Sequence, residues 1–244
     1  VGFPLWDLSL RGHAKLADAL VTVSQSSARE VIVRYRVDPA NLHTINTGVN
    51  IEHLMSIAKE RPTRGYTSKK KRLFYAGRLY WGKGIMYLLK SVLYLVRRIG
   101  FKDFQLQVYG RGPLEGRARE FLSRFDLTQN VEFRGFVEHD ELVASMATAD
   151  IVCVPSMYEA CPLVAIEAMA LARPVVAFNR PFSRELLHGI PELHLATTIE
   201  DYARYIHFMC ASEDLRKRIG SHLEARARNR FDINIIADAY SRLY

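Results

Sequence analysis

Arg72-Leu73-Phe74-Tyr75-Ala76, then Gly77-Arg78-Leu79-Tyr80-Trp81-Gly82-Lys83-Gly84, then residues 85–99 form the stretch that decides the fold. The first part is short, apolar and aromatic, which suits a buried β-strand. The last part places Ile85, Leu88, Leu89, Val92, Leu93, Val96 and Ile99 at helical spacing. A glycine-rich turn joins them. The same alternation continues downstream: 105–109, 131–133, 151–154, 175–178 and 194–196 read as strands, and 114–125, 140–147, 162–172 and 183–187 as helices between them. Two or three helices close the chain from about Ile199 to Tyr244. This pattern predicts an α/β fold with a parallel sheet and helices on both faces.

Upstream the pattern differs. Residues 20–24 read as a buried strand, and Ser27-Ala28-Arg29-Glu30 reads as a capping box opening a helix through about Tyr35. Asp38-Pro39 breaks that helix, and 42–45 read as a strand leading to a turn at Asn46-Thr47-Gly48. Residues 61–71, with Pro62, Gly65 and a run of lysines, read as a linker or exposed loop.

The composition is that of a globular chain: 244 residues, 49% hydrophobic and 25% charged, enough for one large core or two small ones. No apolar run approaches the ~20 residues of a membrane helix. The start, Val-Gly-Phe-Pro, has neither a Met nor a signal-peptide pattern, so the chain is expected to be part of a longer one. Cys153, Cys161 and Cys210 are odd in number and widely spaced, which suits a reducing compartment and suggests neither a disulfide framework nor a zinc site. That cysteine usage makes a cytoplasmic location the expectation, and the formal charge of +8 favours anionic partners such as phosphates, nucleic acid or an anionic membrane face, with room for peripheral contact at the inner face of the membrane. Lys69-Lys70-Lys71-Arg72 and the basic group from Arg216 to Arg230 read as solvated surface. Neither interleaves aromatics with its cations, so nucleic acid is not an expected partner.

Ligands of open parallel sheets bind at the carboxyl ends of the strands. In the loop after residue 76, Gly77 and its fellow glycines let a ligand approach the backbone, Arg78 offers a planar fork and Lys83 a mobile charge. Helix N–H groups follow them. This makes a diphosphate clamp, although it is neither a P-loop nor a dinucleotide fingerprint. A merely structural turn explains the glycines equally well. The second loop is Pro155-Ser156-Met157-Tyr158-Glu159-Ala160-Cys161-Pro162, with Pro162 expected at the first helical position. Leu163 and Val164 then present backbone N–H groups at the positive end of the helix dipole. That position also suggests a reactive Cys161 thiol. Glu167 is the one acid in an apolar helix: either an exposed position or a buried carboxylate that requires donors.

Ser156-x-x-Glu159, seven residues, then Glu167-Ala168-Met169-Ala170, followed by Arg173-Pro174-Val175-Val176-Ala177, resembles the signature of family 4 retaining glycosyltransferases. Gly77-Arg78-Leu79 with Lys83-Gly84 resembles that family's basic loop, Tyr109-Gly110-Arg111-Gly112-Pro113 its second glycine turn, and Val131 to Phe136 the strand before the base site. The resemblance implies a GT-B enzyme with two Rossmann-like domains facing a cleft, no required metal, and no cofactor besides the nucleoside-diphosphate sugar it uses as donor. By position, Arg78 and Lys83 would neutralise the diphosphate and the N–H groups of Leu163 and Val164 would bind its distal phosphate. Glu167 would bond the ribose, Glu159 the donor sugar, and backbone near Phe136 and Val137 the base. Gly110, Gly112 and Gly135 are expected as turn formers. Cys161-Pro162 departs from the family's Phe-Gly, and the proline removes one donor.

The expected organisation is 1–45 as a remnant of the N-terminal domain and interdomain connection, 46–230 as the nucleotide-sugar-binding Rossmann-like domain, and 231–244 as a C-terminal helix. The expected function is transfer of a sugar, with retention, to a sugar, lipid-linked or other hydroxyl acceptor. This chain would supply the donor-binding half, with the acceptor wall of the cleft lying before Val1. The rival readings are a GT-B nucleotide-sugar epimerase, a non-catalytic nucleotide-binding module and, from charge alone, a nucleic-acid binder.

Overall fold

The computed structural model describes residues 12, 14, 16–60 and 70–244. Strands β1 (Leu20–Thr22) and β2 (Leu42–Thr44) form a small parallel pair joined through helix α1 (Gln25–Tyr35). The expected capping box at Ser27 is displaced by one turn. Ser24 is the cap, its Oγ accepting from Ser27 N at 3.1 Å, and the carboxylate of Glu185 accepts from Gln25 N and Ser26 N at 2.7 and 2.9 Å. A distant acid thus satisfies the first orphan N–H groups of α1, which no local pattern reveals. The helix ends at Arg36, which takes the left-handed conformation before Asp38-Pro39 is reached.

Helix α2 (Ile51–Glu60) follows, burying Ile51, Leu54 and Ile57 on one stripe. This helix lies beyond the turn at Asn46-Thr47-Gly48, where the elements expected upstream of the main sheet end. Residues 61–69, most of the expected linker, lie outside the described residues, and Lys71 already belongs to strand β3 (Lys71–Ala76).

The main sheet contains β3, β4 (Phe104–Tyr109), β5 (Val131–Gly135), β6 (Ile151–Val154) and β7 (Val175–Ala177), all parallel, in the order β5-β4-β3-β6-β7. The connecting helices are α3 (Ile85–Tyr94), α4 (Glu115–Arg124), α5 (His139–Ala147) and α6 (Leu163–Ala170). Chain order runs outward from β3 in one direction to β5, then returns to β6 and runs the other way. That reversal puts α3 and α4 on one face and α5 and α6 on the other, where α2 packs on both. Helices α7 (Pro181–Leu187), α8 (Ile199–Ala211), α9 (Glu213–Arg230) and α10 (Ile233–Ser241) complete the chain, with α8 against α3 and α9 against α6. The core runs through both layers: Leu73, Leu106, Val108, Ile151, Val152 and Val175 from the sheet are fully buried, as are Leu88, Leu89 and Val92 of α3 and Ile166 and Met169 of α6.

Three sequence boundaries change. Residues 194–196 do not form a strand; only an isolated bridge joins Phe178 to Ala196 at the sheet's edge. The helix expected over 85–99 is α-helical to Tyr94 and then winds as a π-turn over Leu95–Ile99. Pro162 is the cap of α6, with extended backbone (ψ 100°), and the helix begins at Leu163. The C-terminal helices number three, as the upper expectation had it.

Candidate functional site

The order β5-β4-β3-β6-β7 has its reversal between β3 and β6, so the loops leaving their carboxyl ends part there and open a crevice. Both glycine-bearing loops continue the sheet's hydrogen bonding past the strands. Gly77 N donates to Tyr109 O at 3.1 Å, Leu79 N to Arg111 O at 2.9 Å, and Gly110 N to Gly135 O at 2.6 Å. Gly110 has a φ of +117°, and a Cβ there would overlap Gly77 O, so only glycine lets the two loops lie this close. Gly84 (φ +72°) likewise packs against Pro155 O, and Gly82 O accepts from Met157 N at 2.9 Å. The β3 loop is therefore clamped from both sides. Beneath it lies buried Tyr75, whose hydroxyl is 3.5 Å from both Arg78 O and Lys83 O. Burial, then the charge of Glu159, pushes that phenol well above its ordinary range and keeps it a neutral donor.

A crevice of about 530 Å³ opens at these strand ends, lined by Gly77, Arg78, Gly110, Arg111, Phe136 and Val137 with Ala76, Tyr109 and Leu142. Its size suits a small ligand. Four of the expected site residues, Gly77, Arg78, Phe136 and Val137, are thus brought together. Lys83, Glu159, Leu163, Val164 and Glu167 are not among its lining residues; Lys83 stands at the far end of the β3 loop, and the other four follow β6.

Two pairs stitch the halves together. Lys83 Nζ contacts Glu159 Oε1, which also accepts from Ser156 Oγ at 2.9 Å. Glu167 is buried, and its Oε1 lies 2.7 Å from Nε2 of His139, at the start of α5. Glu167 is therefore not an exposed position on an amphipathic helix; it is a buried carboxylate that found a donor, as desolvation requires. Each glutamate of the spaced pair meets a basic side chain from another strand end, Lys83 from β3 and His139 from β5. The first backbone bonds of α6 run from Ala165 N and Ile166 N to Pro162 O at 3.0 and 3.3 Å, which leaves the N–H groups of Leu163 and Val164 ahead of the helical ladder.

Residues 70–212 match the protein family described as glycosyl transferases group 1. The chain belongs to that family. An uncharacterised glycosyltransferase of Methanocaldococcus jannaschii is 31% identical over 163 residues, covering 64% of this chain and 41% of that protein. A D-inositol 3-phosphate glycosyltransferase of Streptomyces bingchenggensis is 27% identical over 230 residues, covering 84% of this chain and 48% of that protein. The chain thus spans between two fifths and one half of the length of these curated relatives. The crystal structure of Anabaena HepE in complex with UDP and glucose superposes with a TM-score of 0.81 at 22% identity, over 97% of this chain and 66% of that one. That likeness establishes the GT-B type of fold: an α/β, Rossmann-like parallel sheet flanked by helices.

Within this group 1 glycosyltransferase chain, the sequence reading missed three residues. Arg111 lines the crevice beside Arg78, and its signal was its place between two turn-forming glycines. Ser156 bonds Glu159, and its signal was its place in the Ser-x-x-Glu run. His139 gave no local signal, because its contact with Glu167 spans 28 residues. The reactive Cys161 is corrected: burial pushes its thiol up from the ordinary value despite lowering contacts from Thr47, so proximity to the helix start does not activate it. Cys153 is the inert core residue expected. No helix among the described residues is long and apolar enough to cross a membrane.

Proposed function

We propose that this chain is the donor-binding half of a retaining glycosyltransferase, which transfers a sugar from a nucleoside diphosphate to a hydroxyl acceptor. The observation that carries the reading is the pairing of both glutamates with Lys83 and His139 across the topological reversal of the sheet. Both acids are tied to side chains from the other side of the same sheet reversal, where the loops after β3 and β4 carry Arg78 and Arg111.

In the reaction, the bond between the anomeric carbon and the diphosphate oxygen breaks with its electron pair leaving on oxygen. The acceptor oxygen bonds to that carbon, and the acceptor's proton is released. Arg78, Arg111 and the N–H groups of Leu163 and Val164 stabilise the charge on the departing diphosphate without a metal ion, because they are already oriented before it develops. Lys83 moves from Glu159 to the diphosphate when donor binds, which frees the Glu159 carboxylate for the sugar hydroxyls. Glu167 takes the ribose, and backbone near Phe136 and Val137 takes the base. Acceptor identity, retention of configuration and the closing wall of the cleft belong to this proposal, since one Rossmann-like sheet offers only one side of a reacting geometry.

Isothermal titration of the chain with UDP, GDP and ADP, alone and as their glucose or mannose conjugates, tests the reading. At least one diphosphate is expected to bind. Glu159→Gln should weaken the matching sugar conjugate by about 1.5–3 kcal/mol more than the free diphosphate, the scale of a hydrogen bond to a charged group. Equal loss for both ligands, or no binding by any, refutes the assignment.

A further inference from the structure

Glu167 is an acid in a helix otherwise made of Leu163, Val164, Ala165, Ile166, Ala168, Met169 and Ala170. Its residue is 9% exposed, so its carboxylate is cut off from most water and depends on what surrounds it. An ionised carboxylate only accepts hydrogen bonds, so Nε2 of His139, 2.7 Å away, is the proton-bearing nitrogen of the ring. His139 is half exposed (54% for the side chain), whereas Glu167 lies behind it at 12%. The imidazole therefore covers one carboxylate oxygen from the solvent side. A carboxylate offers about four lone-pair positions, and this single bond leaves the second oxygen for another donor.

The location of the ring matters as much as the bond. His139 lies three residues after Phe136 and two after Val137, both of which line the crevice at the end of β5. It stands at the junction between the wall that Phe136 and Val137 form and the face of α6 that carries Glu167. The α5 and α6 helices pack together, so the ring is carried on a rigid element and not on a loose turn.

We propose that His139 is a positioning residue that makes this chain selective for ribonucleotides: it holds the Glu167 carboxylate by one oxygen and turns the other toward the ribose hydroxyls. The inference rests on the reading of Glu167 as the ribose ligand. Without the imidazole the carboxylate rotates about its last torsions, the aimed oxygen is lost, and the two hydroxyls lose a preorganised acceptor. A glutamine at position 139 places an amide N–H where Nε2–H stands and preserves the hold.

The test compares the affinities of UDP and GDP with those of their 2′,3′-dideoxy counterparts, by titration of the wild-type chain and of the His139→Ala, His139→Gln and Glu167→Gln variants. Thermal melts establish that each variant is folded, and the readout is the ratio of the dideoxy to the ribo dissociation constant. The wild type should prefer the ribonucleotide by about tenfold or more, as bonds to a charged acceptor imply. His139→Ala and Glu167→Gln should both collapse that ratio toward unity, and His139→Gln should keep most of it. A generally loosened structure weakens both ligands alike and leaves the ratio unchanged. If the wild type shows no preference, Glu167 is not the ribose ligand and both readings fall. A preference that Glu167→Gln abolishes and His139→Ala leaves intact overturns the role of His139 alone.

Discussion

At the amino end of the five-stranded sheet, Asp150 accepts from Arg72 N at 2.8 Å and from Arg216 Nη2 at 3.1 Å, while buried Arg216 also donates to Met209 O and Cys210 O. Arg173 beside it donates to Leu171 O and Ala149 O. At the carboxyl end, Glu159 and Glu167 meet Lys83 and His139 across loops, and Arg78 and Arg111 face an open crevice. Both ends hold several charges, yet they differ in what answers them. The lower cluster borders a hollow of about 260 Å³, yet its buried Arg216 is held by backbone carbonyls and by Asp150, partners fixed by the fold. The upper one is closed by long or half-exposed side chains that a ligand can displace or share. The same residue types therefore serve stability at one end and, on the function proposed above, recognition at the other, and the partner decides which.

The comparison breaks most sharply at Asp150. Asp150→Ala leaves the buried Arg216 guanidinium without its acid and removes the acceptor for Arg72 N, so it should destabilise the chain by about 3 kcal/mol, the low end for breaking a buried pair. Diphosphate affinity, measured below the variant's melting transition, should remain unchanged. A stable variant that binds UDP or GDP poorly would show that the lower cluster is not structural.

Arg111→Ala makes the opposite case. It should weaken the nucleoside diphosphate by roughly 1.5–3 kcal/mol, leave the nucleoside without phosphates nearly unaffected, and shift the melting temperature little. Titration of both ligands alongside a thermal melt checks it, and a large fall in melting temperature would place Arg111 with the structural charges.

The smallest expected effect concerns Cys161, which sits in the loop that carries Glu159, just before α6. Because burial raises its thiol, iodoacetamide should alkylate it more slowly than a free thiol such as glutathione at pH 7.5, with Cys153 slower still. Rapid, selective labelling of Cys161 would mean that the start of α6 is more open than the structure has it.

The period of the apolar residues was enough to read β3 through β7: β6 and β7, buried on both faces, are continuous apolar runs, edge strand β5 alternates, and the intervening helices repeat every three to four residues. The Gly77–Gly84 loop and the spacing from Glu159 to Glu167 were also legible, since both are runs of neighbouring residues. Residues 51–60 escaped, although Ile51, Leu54 and Ile57 keep helical spacing, because the turn at Asn46-Thr47-Gly48 drew the reading into a loop. The cap of α1 was misplaced for a different reason: two of its N–H groups are answered by Glu185, 160 and 159 residues away. The 194–196 run is apolar enough for a strand but meets the sheet at one bridge only. What sequence determined by itself was local: which segments can be strand or helix, and which loops carry charge beside glycine. What tertiary structure alone decided was partnership. Whether Glu167 is exposed or buried, whether Cys161 is activated or quenched, and which basic side chain meets each glutamate depend on groups from other strands, and desolvation makes those partners the determinant of what each charge does.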